Sequence, residues 1–248
     1  MSTHKIPYSE TGYFSKLICD YLDQDENLSG FYGHFPTLEN FKSQIENKNF
    51  SAENREVLVS ALRKQYEGLE QTPESLDALE LLALPNTYTV TTGHQLNLFT
   101  GPLYFLYKII STITLSRKLK ETYPDSNFVP VYWMATEDHD FDEINYFRLH
   151  GKKIQWNRED ISNNDKGAVG ALNNGGLDAV YERLQAELGT TRVAQELAQL
   201  FKSAYLKHNN LAEATRFLAH GLFGEYGLVI VDGNDHDLKA VFAPYMKQ

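Results

Sequence analysis

The chain has 248 residues, of which 42% are hydrophobic and 23% charged, and its formal net charge is −10. This is the composition of a globular protein that can bury the core of one large domain or two small ones. Because the chain is acidic and has no run of Lys or Arg, we expect no nucleic-acid partner. No apolar stretch approaches the roughly 20 residues that span a bilayer, so no membrane partner is expected. The single cysteine, Cys19, excludes an internal disulfide and favours a reducing compartment, so we predict a cytoplasmic protein.

Residues 1–84 are predicted to form an N-terminal helical segment that packs on the core. Four stretches place apolar residues three and four positions apart: FSKLICDYL, LENFKSQI, NREVLVSALRKQY and ESLDALELLALP. Cys19 lies in the first of them and is interpreted as a buried thiol. Ser51 and Thr72 are the expected N-terminal caps of the last two helices.

Residues 85–160 are predicted to form a βαβ unit, the first half of an α/β core. NTYTVTT (86–92) is β-branched and aromatic, which indicates a strand, and GPLYFLYKIISTITLSRKLKE (101–121) indicates a helix with Pro102 in its first turn. NFVPVYWMAT (127–136) is an almost unbroken apolar run, as expected of a strand that helices cover on both faces of a parallel sheet. EINYFRLHGKKIQWN then predicts two short strands.

Residues 161–225 are predicted to be a helical connecting segment. It begins with the polar, Gly-rich loop SNNDKGAVGALNNGG and continues in two or three helices. Residues 226–248 contain GLVIVD, a second buried-strand pattern that returns to the core, and then the start of another helix. A parallel strand followed by a helix usually leads to a further strand, so we expect this sequence to be the front part of a longer architecture.

Polar clusters follow three of the predicted strands. They are the segments Thr92–Gln95, Thr136–Asp140 and Asp232–Asp237. In open α/β sheets, ligands bind outside the carboxyl ends of the strands. If the sheet is parallel, the three clusters meet at one edge and form a shared pocket, with His94 close to Asp138.

The first cluster has the chemistry of a phosphate or carboxylate site. Gly93 allows the backbone to turn and to approach a ligand closely. The following segment supplies side chains that hydrogen-bond well and pack poorly: His94, Gln95 and Asn97. The helix predicted to start near Gly101 presents N–H groups that favour an anion, although no P-loop or G-x-G-x-x-G pattern is present. The alternative is a simple turn in which Thr100 caps the helix.

The second cluster carries five carboxylates and one imidazole: Glu137, Asp138, His139, Asp140, Asp142 and Glu143. Clustered carboxylates raise one another's proton affinity unless a donor or cation offsets them, which suits general acid–base catalysis with His139. The same groups suit a divalent metal, and a solvated acidic loop is the third interpretation. In the last cluster, Asp232 is placed to reach a ribose hydroxyl or an amine, unless that loop only caps the next helix.

Two segments of the chain resemble a known family. TGHQLNLFTGPLYFLYK, followed about thirty residues later by VPVYWMATEDHDFDEIN, is similar to the bacillithiol-biosynthesis cysteine-adding enzymes, the BshC family, and GLVIVDG also matches. The resemblance implies a Rossmann-like core with helical connecting segments. It implies the last step of bacillithiol synthesis, in which an amide bond joins cysteine to the glucosamine amine of glucosaminyl-malate. Family members are about twice as long, and their remaining half adds a coiled coil linked to homodimerisation.

The resemblance also implies roles for individual residues, by analogy with the phosphate-binding His motif of class I aminoacyl-tRNA synthetases. The implied catalytic residues are His94, Asp138, His139 and Asp140. The implied substrate- or nucleotide-binding residues are Thr92, Gly93, Gln95, Asn97, Gly101, Lys108, Glu137 and Asp232. ATP or ADP is the candidate cofactor, because amide formation from a free acid is uphill in water, and no metal is expected. A metal-dependent hydrolase built on EDHDFDE and a non-catalytic nucleotide-binding module remain as alternatives.

Overall fold

The computed structural model describes residues 4–158 and 167–247, which fall into two units, residues 1–49 and residues 50–248. Part of the predicted Gly-rich loop, residues 162–166, lies outside the described residues. The described residues of the first unit form three short α-helices and one 3₁₀ helix: α1 (Tyr8–Thr11), α2 (Lys16–Leu22), the 3₁₀ helix Glu26–Phe31 and α3 (Phe41–Asn47). None of its described residues is buried, so the prediction of a buried Cys19 thiol is wrong. A segment of this length cannot by itself enclose a core.

The second unit begins with two helices that pack on one face of the sheet. They are α4 (Ala52–Gln65) and α5 (Pro73–Leu81). The hydroxyls of Ser51 and Thr72 accept hydrogen bonds from the first turns of these helices, which confirms both predicted N-terminal caps.

The remaining elements are strands and helices, and they include the βαβ unit, the two short strands, the helical segment and the return strand that the sequence predicts. In chain order they are β1 (Thr87–His94), α6 (Tyr104–Thr122), β2 (Asn127–Met134), α7 (Phe141–Ile144), β3 (Tyr146–Leu149), β4 (Lys152–Gln155), α8 (Leu177–Leu188), α9 (Arg192–Lys207), α10 (Leu211–Phe223), β5 (Val229–Asp232) and α11 (His236–Met246). Short 3₁₀ turns lie at Leu98–Thr100, Val169–Ala171 and Gly224–Tyr226. The predicted pair of short strands is the antiparallel hairpin β3–β4.

The main sheet is parallel and has the strand order β1-β2-β5. His94 pairs with Met134, and Met134 pairs with Asp232, so all three strands end at the same level. The predicted convergence of the three carboxyl ends on one edge is therefore confirmed. Helices lie on both faces, which makes the domain α/β as predicted.

The core lies on both faces of β2. Tyr132 and Met134 are fully buried on the face covered by α6 and the helices α8–α10, whereas Val129 and Val131 are buried against α4 and α5. Trp133 departs from this pattern, because 39% of its surface is exposed. The apolar run predicts the two covered faces correctly, but it does not reveal this exposed indole.

A proline lies inside the central strand. The amides of Asn127 and Ala135, at the two ends of β2, donate to the carbonyl oxygens of Asn86 and His94. The amides of odd-numbered residues of β2 therefore point toward β1, and those of even-numbered residues point toward β5. Pro130 therefore turns its hydrogen-free nitrogen toward β5, but the pairing with β5 starts only at Val131. No ladder hydrogen bond is lost there, which explains why this proline is tolerated.

None of the helices within residues 4–158 and 167–247 combines the length and the apolar character needed to cross a bilayer.

A buried histidine on α10 makes stability depend on pH. His220 is 5% exposed, and its Nε2 lies 3.0 Å from the carbonyl oxygen of Glu70. A carbonyl can only accept, so Nε2 carries the proton and the buried Nδ1, which has no partner, is unprotonated. Burial lowers the pKa of His220, and burial likewise lowers the pKa of His94.

We expect the melting temperature to fall as the pH drops below about 6.5, the ordinary histidine value. The unfolded chain takes up these protons more readily than the folded chain, so stability is full above that value and is lost as the pH falls toward the lowered folded pKa values. Melting curves between pH 7.5 and pH 5.5 should therefore slope less steeply for His220→Gln than for the wild type. His34→Gln, which changes an exposed histidine, is the control and should keep the wild-type slope. Equal slopes for all three proteins would contradict this origin of the acid sensitivity.

Candidate functional site

The side chain of Gln95 joins the first two polar clusters. Its Nε2 donates to Oδ2 of Asp138 at 2.8 Å and to Oε2 of Glu143 at 2.7 Å. One amide group therefore serves two carboxylates with its two N–H bonds. The structure thus brings the segment after β1 and the segment after β2 into direct contact.

Asp138 is held as an anion. Besides the bond from Gln95, its Oδ1 accepts from the backbone amides of His139 at 2.7 Å and Asp140 at 3.3 Å. The Gln95 side chain, followed by these two amides, lowers the pKa of Asp138. Donors therefore offset the repulsion expected in this acidic run, and Asp138 is better suited to bind a cation than to act as a general base.

His94 is a neutral imidazole at the end of β1. It is 8% exposed, and its ring lies against the rings of Tyr104 and Phe105. Nδ1 lies 2.9 Å from the carbonyl oxygen of Gln95 and 3.1 Å from Nδ2 of Asn97. Because a carbonyl only accepts, we assign the proton to Nδ1, which leaves the lone pair on Nε2. This assignment requires that the Asn97 amide be turned so that its oxygen, and not its NH₂ group, faces Nδ1. Burial lowers the pKa of His94, so the ring is uncharged near pH 7.

The loop between β1 and α6 has an unusual backbone. Phe99, Thr100 and Gly101 all have positive φ angles, of 49°, 72° and 56°. The amide of Phe99 donates to the hydroxyl of Tyr205 on α9 at 2.9 Å, which holds this conformation from a distant part of the chain. A side chain at Gly101 would place its Cβ 2.3 Å from Cβ of Asn97, so only glycine fits.

This backbone delays the start of α6 to Tyr104, so the predicted start near Gly101 is wrong by about one turn. No side chain caps the helix, and the alternative in which Thr100 caps it is therefore also wrong. The first N–H groups of a 19-residue helix remain without a capping side chain.

Lys108 lies one turn into α6 and binds the backbone of β1. Its Nζ donates to the carbonyl oxygen of Gly93 at 2.6 Å. The carbonyl of His94 faces β2, so that of Gly93 points to the outer edge of β1. Lys108 thus supports the strand end.

The third cluster is tied to the second through Asp232. Oδ1 of Asp232 accepts hydrogen bonds from the hydroxyl of Thr136 and the amide of Asn234, while Oδ2 lies 3.6 Å from the guanidinium of Arg216. Gln65 on α4 accepts from the amide of Asp232 at 2.9 Å. The Asp232 carboxylate thus anchors two strand ends, and its predicted role in ligand binding stays a prediction.

The rest of the third cluster serves the next helix. Oδ1 of Asp235 accepts from the amides of Asp237 and Leu238 at 2.9 and 3.1 Å, so this residue caps α11. The helix-capping alternative for this loop is therefore what the structure shows at Asp235.

The other predicted site residues lie at the same edge of the sheet, and their side chains are more exposed to solvent than that of His94. Glu137, His139 and Asp140 are exposed, and Thr92 is partly exposed. Nδ1 of His139 lies 4.0 Å from Oδ1 of Asp138. Across residues 4–158 and 167–247, no group of three or more His, Cys, Asp or Glu side chains is arranged to hold a metal ion.

Three contributors to this region were not found by sequence reasoning: Gln65, Tyr205 and Arg216. They lie on α4, α9 and α10, in segments whose sequence pattern indicates an amphipathic helix and nothing more. Arg216 also donates to the carbonyl oxygen of Gln65 at 3.0 Å. No local motif marks these residues, because each contact depends on how distant helices pack.

A parallel sheet covered by helices, with a polar edge at the carboxyl ends of its strands, defines this unit as a Rossmann-like α/β domain with its candidate ligand site at that edge. The sequence profile described as "Bacillithiol biosynthesis BshC, N-terminal Rossmann-like domain" matches residues 1–248. The chain belongs to this family.

Curated relatives agree with this assignment. The chain is 57% identical over 250 residues to a protein of Flavobacterium johnsoniae named "Putative cysteine ligase BshC", covering 100% of this chain and 46% of the relative. It is 53% identical to a protein of the same name from Christiangramia forsetii, with 98% and 46% covered. A protein of that name from Staphylococcus saprophyticus is 28% identical, with 94% and 44% covered. The chain thus spans about half the length of the curated relatives it matches.

Proposed function

We propose that this chain forms the acceptor-binding part of a ligase that adds L-cysteine to the glucosamine amine of glucosaminyl-malate, the last step of bacillithiol biosynthesis. Family membership and the names of the relatives support a cysteine ligase. The observation that carries the proposal is the bridge from Gln95 to Asp138 and Glu143, which joins the two segments with the strongest family resemblance.

The carboxylates at this bridge suit an amine substrate. Asp138 is ionised at neutral pH, because hydrogen bonds lower its pKa, and an anionic carboxylate binds an ammonium group by charge-assisted hydrogen bonds. In this proposal, Asp138 and Glu143 bind the glucosamine amine and orient it toward the carbonyl carbon of cysteine. Glu137 and Asp140 extend the negative edge around it.

His94 suits the removal of a proton from that amine. Nucleophilic attack requires that the nitrogen lose a proton as the new C–N bond forms and the leaving group departs from the cysteine carbonyl. An uncharged imidazole with a free Nε2 lone pair accepts that proton, and His94 has this form near pH 7. His139, the other predicted imidazole, is exposed beside Asp138 and remains a second proposal for the base.

ATP or ADP is the proposed cofactor, and its role would be to activate the carboxylate of cysteine. The residues present fit a nucleotide phosphate at one place, the N-terminus of α6, where no side chain caps the first N–H groups. Pro102 has no N–H group, and the amide of Gly101 donates to the carbonyl oxygen of Leu98, so neither is available to a ligand. The amides of Leu103 and Tyr104 would therefore hold the phosphate there.

Two further predictions from the sequence stay proposals. One is homodimerisation of the protein, and the other is the division of the chain into segments that end at residues 84, 160 and 225.

The test is formation of the thiol product from cysteine, glucosaminyl-malate and ATP, measured by mass spectrometry. It uses a protein of the relatives' length whose first 248 residues are this chain. We expect His94→Ala and Asp138→Ala each to lower the rate by about a hundredfold or more, as for loss of a general base or an essential charge. Asp142→Ala, which removes an exposed carboxylate of the same run, should stay within about threefold of wild type.

Two outcomes would contradict the proposal. Product formed at the wild-type rate by both site variants would remove these residues from the mechanism. Product formed without consumption of ATP would remove the nucleotide, and the appearance of AMP or of ADP would identify which bond of ATP is broken.

A further inference from the structure

Trp133 is the exposed residue in an otherwise buried stretch of β2. Its neighbours Val131, Tyr132 and Met134 are at most 5% exposed, whereas Trp133 is 39% exposed. It lies one residue, or about 3.3 Å, from the end of β2, at the edge where ligands bind in such sheets. Single exposed aromatic residues are common on protein surfaces, so it is the position of this one at the ligand-binding edge that sets it apart.

Glycines on both neighbouring strands shape the space around the indole. A Cβ at Gly233, directly after β5, would lie 2.3 Å from Cζ2 and 2.8 Å from Nε1 of Trp133, so the ring rests against that backbone and cannot turn toward it. Gly93, which pairs with Trp133 on β1, is exposed, and a Cβ there would meet only the Trp133 carbonyl oxygen, at 3.9 Å. The ring is therefore fixed where it meets Gly233, while 39% of the residue's surface stays exposed.

The charges around this edge select the kind of ligand. Residues 135–145 contain five carboxylates and neither Lys nor Arg. Among the described residues, three cations lie near this edge: Lys108 donates to the carbonyl of Gly93, Lys239 donates to Asn234, and Arg216 pairs with Asp232. The five carboxylates after β2 outnumber these cations, so this segment of the edge attracts a positively charged group.

We propose that Trp133 is the platform for the pyranose ring of the amino-sugar acceptor, with the sugar's ammonium group directed at the carboxylates that follow β2. The C–H groups on one face of a pyranose carry partial positive charge and lie well on the negative face of an indole. Because the ring is held in place by Gly233 before the ligand arrives, little conformational entropy is lost on binding. This inference rests on the proposed function and names the residue that would recognise the sugar.

Tryptophan fluorescence gives a direct test on residues 1–248. The chain has two tryptophans, and the other one, Trp156, is fully buried and bonded to the carbonyl of Gly175. Iodide should therefore quench only the Trp133 emission. Glucosaminyl-malate and D-glucosamine should change that emission and protect it from iodide. D-glucose, which lacks the ammonium group, should bind about tenfold more weakly, and adenosine should have no effect.

Substitutions of Trp133 distinguish the contribution of an aromatic ring from that of side-chain volume. Calorimetric titration with glucosaminyl-malate should show affinity about tenfold lower for Trp133→Leu and within about threefold of wild type for Trp133→Phe. Gly233→Ala, whose methyl group displaces the indole, should resemble Trp133→Leu. Tyr226→Leu changes an exposed aromatic residue before the amino end of β5 and should bind like wild type. Circular dichroism checks that each variant is folded.

The outcomes distinguish this inference from the proposed function. If Trp133→Leu and Gly233→Ala bind glucosaminyl-malate as tightly as wild type, the platform is wrong while the ligase proposal stands. If adenosine quenches Trp133 and glucosamine does not, the site is a nucleobase site and the inference is wrong. If the wild-type chain binds no glucosamine derivative, both the platform and the acceptor-binding role fall.

Discussion

A Gln95→Glu variant is expected to lose about 2 kcal/mol of folding free energy at pH 7 and to bind the amine acceptor poorly. The change keeps the shape of the side chain but replaces the donating amide with a third carboxylate between Asp138 and Glu143. Two charge-assisted hydrogen bonds are lost and two repulsions replace them. Thermal melting should show a decrease of roughly 6 °C.

The pH dependence identifies the cause. Like charges raise the folded-state pKa of the new carboxyl group, so the penalty appears as the pH rises above about 4.3, the ordinary value for a glutamic acid. At lower pH the group is protonated, can donate, and should be nearly harmless. Gln199→Glu introduces the same charge at an exposed position of α9 and should be almost neutral throughout. A penalty for Gln95→Glu that does not change with pH would contradict this electrostatic account.

A Gly101→Ala variant is expected to be destabilised by about 3 kcal/mol, and to disturb the site as well. The residue has a φ of 56° and a ψ of −136°, a backbone conformation that alanine adopts only with strain, and its methyl group would overlap Asn97. Asn97 must then move, and its contact with the His94 ring is lost. The loss can be measured by urea unfolding followed by circular dichroism.

Gly68→Ala is the control for the effect of a positive φ alone. Gly68 also has a positive φ, of 79°, but a Cβ there would meet no atom within 4 Å. Its loss should therefore be limited to the backbone term of about 1 kcal/mol. If the two alanine variants lose the same free energy, the clash with Asn97 is not what makes Gly101 necessary.

The sequence predicts the sheet well, because each strand has a strong local signal. β1 is marked by β-branched residues, β2 by its apolar run, and both carry polar residues directly at their ends. Parallel pairing follows from the intervening helix, and it brings the end of β1 beside the end of β2, where Gln95 contacts Asp138.

The details of the site depend on contacts that no local pattern reveals. Phe99 and Thr100 are not residues that favour positive φ, and their conformation depends on a hydroxyl that comes from Tyr205, 106 residues later. The low pKa of Asp138 likewise depends on the position of the Gln95 amide, which donates to it. The sequence alone identifies a cluster of carboxylates but not this donor. Composition predicts the charge of the edge, but tertiary packing decides which charges are stabilised.

Pro130 has a consequence for how the strands find their alignment. A slip of β5 by two residues along β2 would keep every side chain on its own face, so the apolar pattern alone does not forbid it. In the slipped arrangement a carbonyl of β5 would face the nitrogen of Pro130, which has no hydrogen to donate. The proline thereby penalises a misaligned sheet in which Asp232 would no longer reach Thr136, and it protects the geometry of the edge during folding.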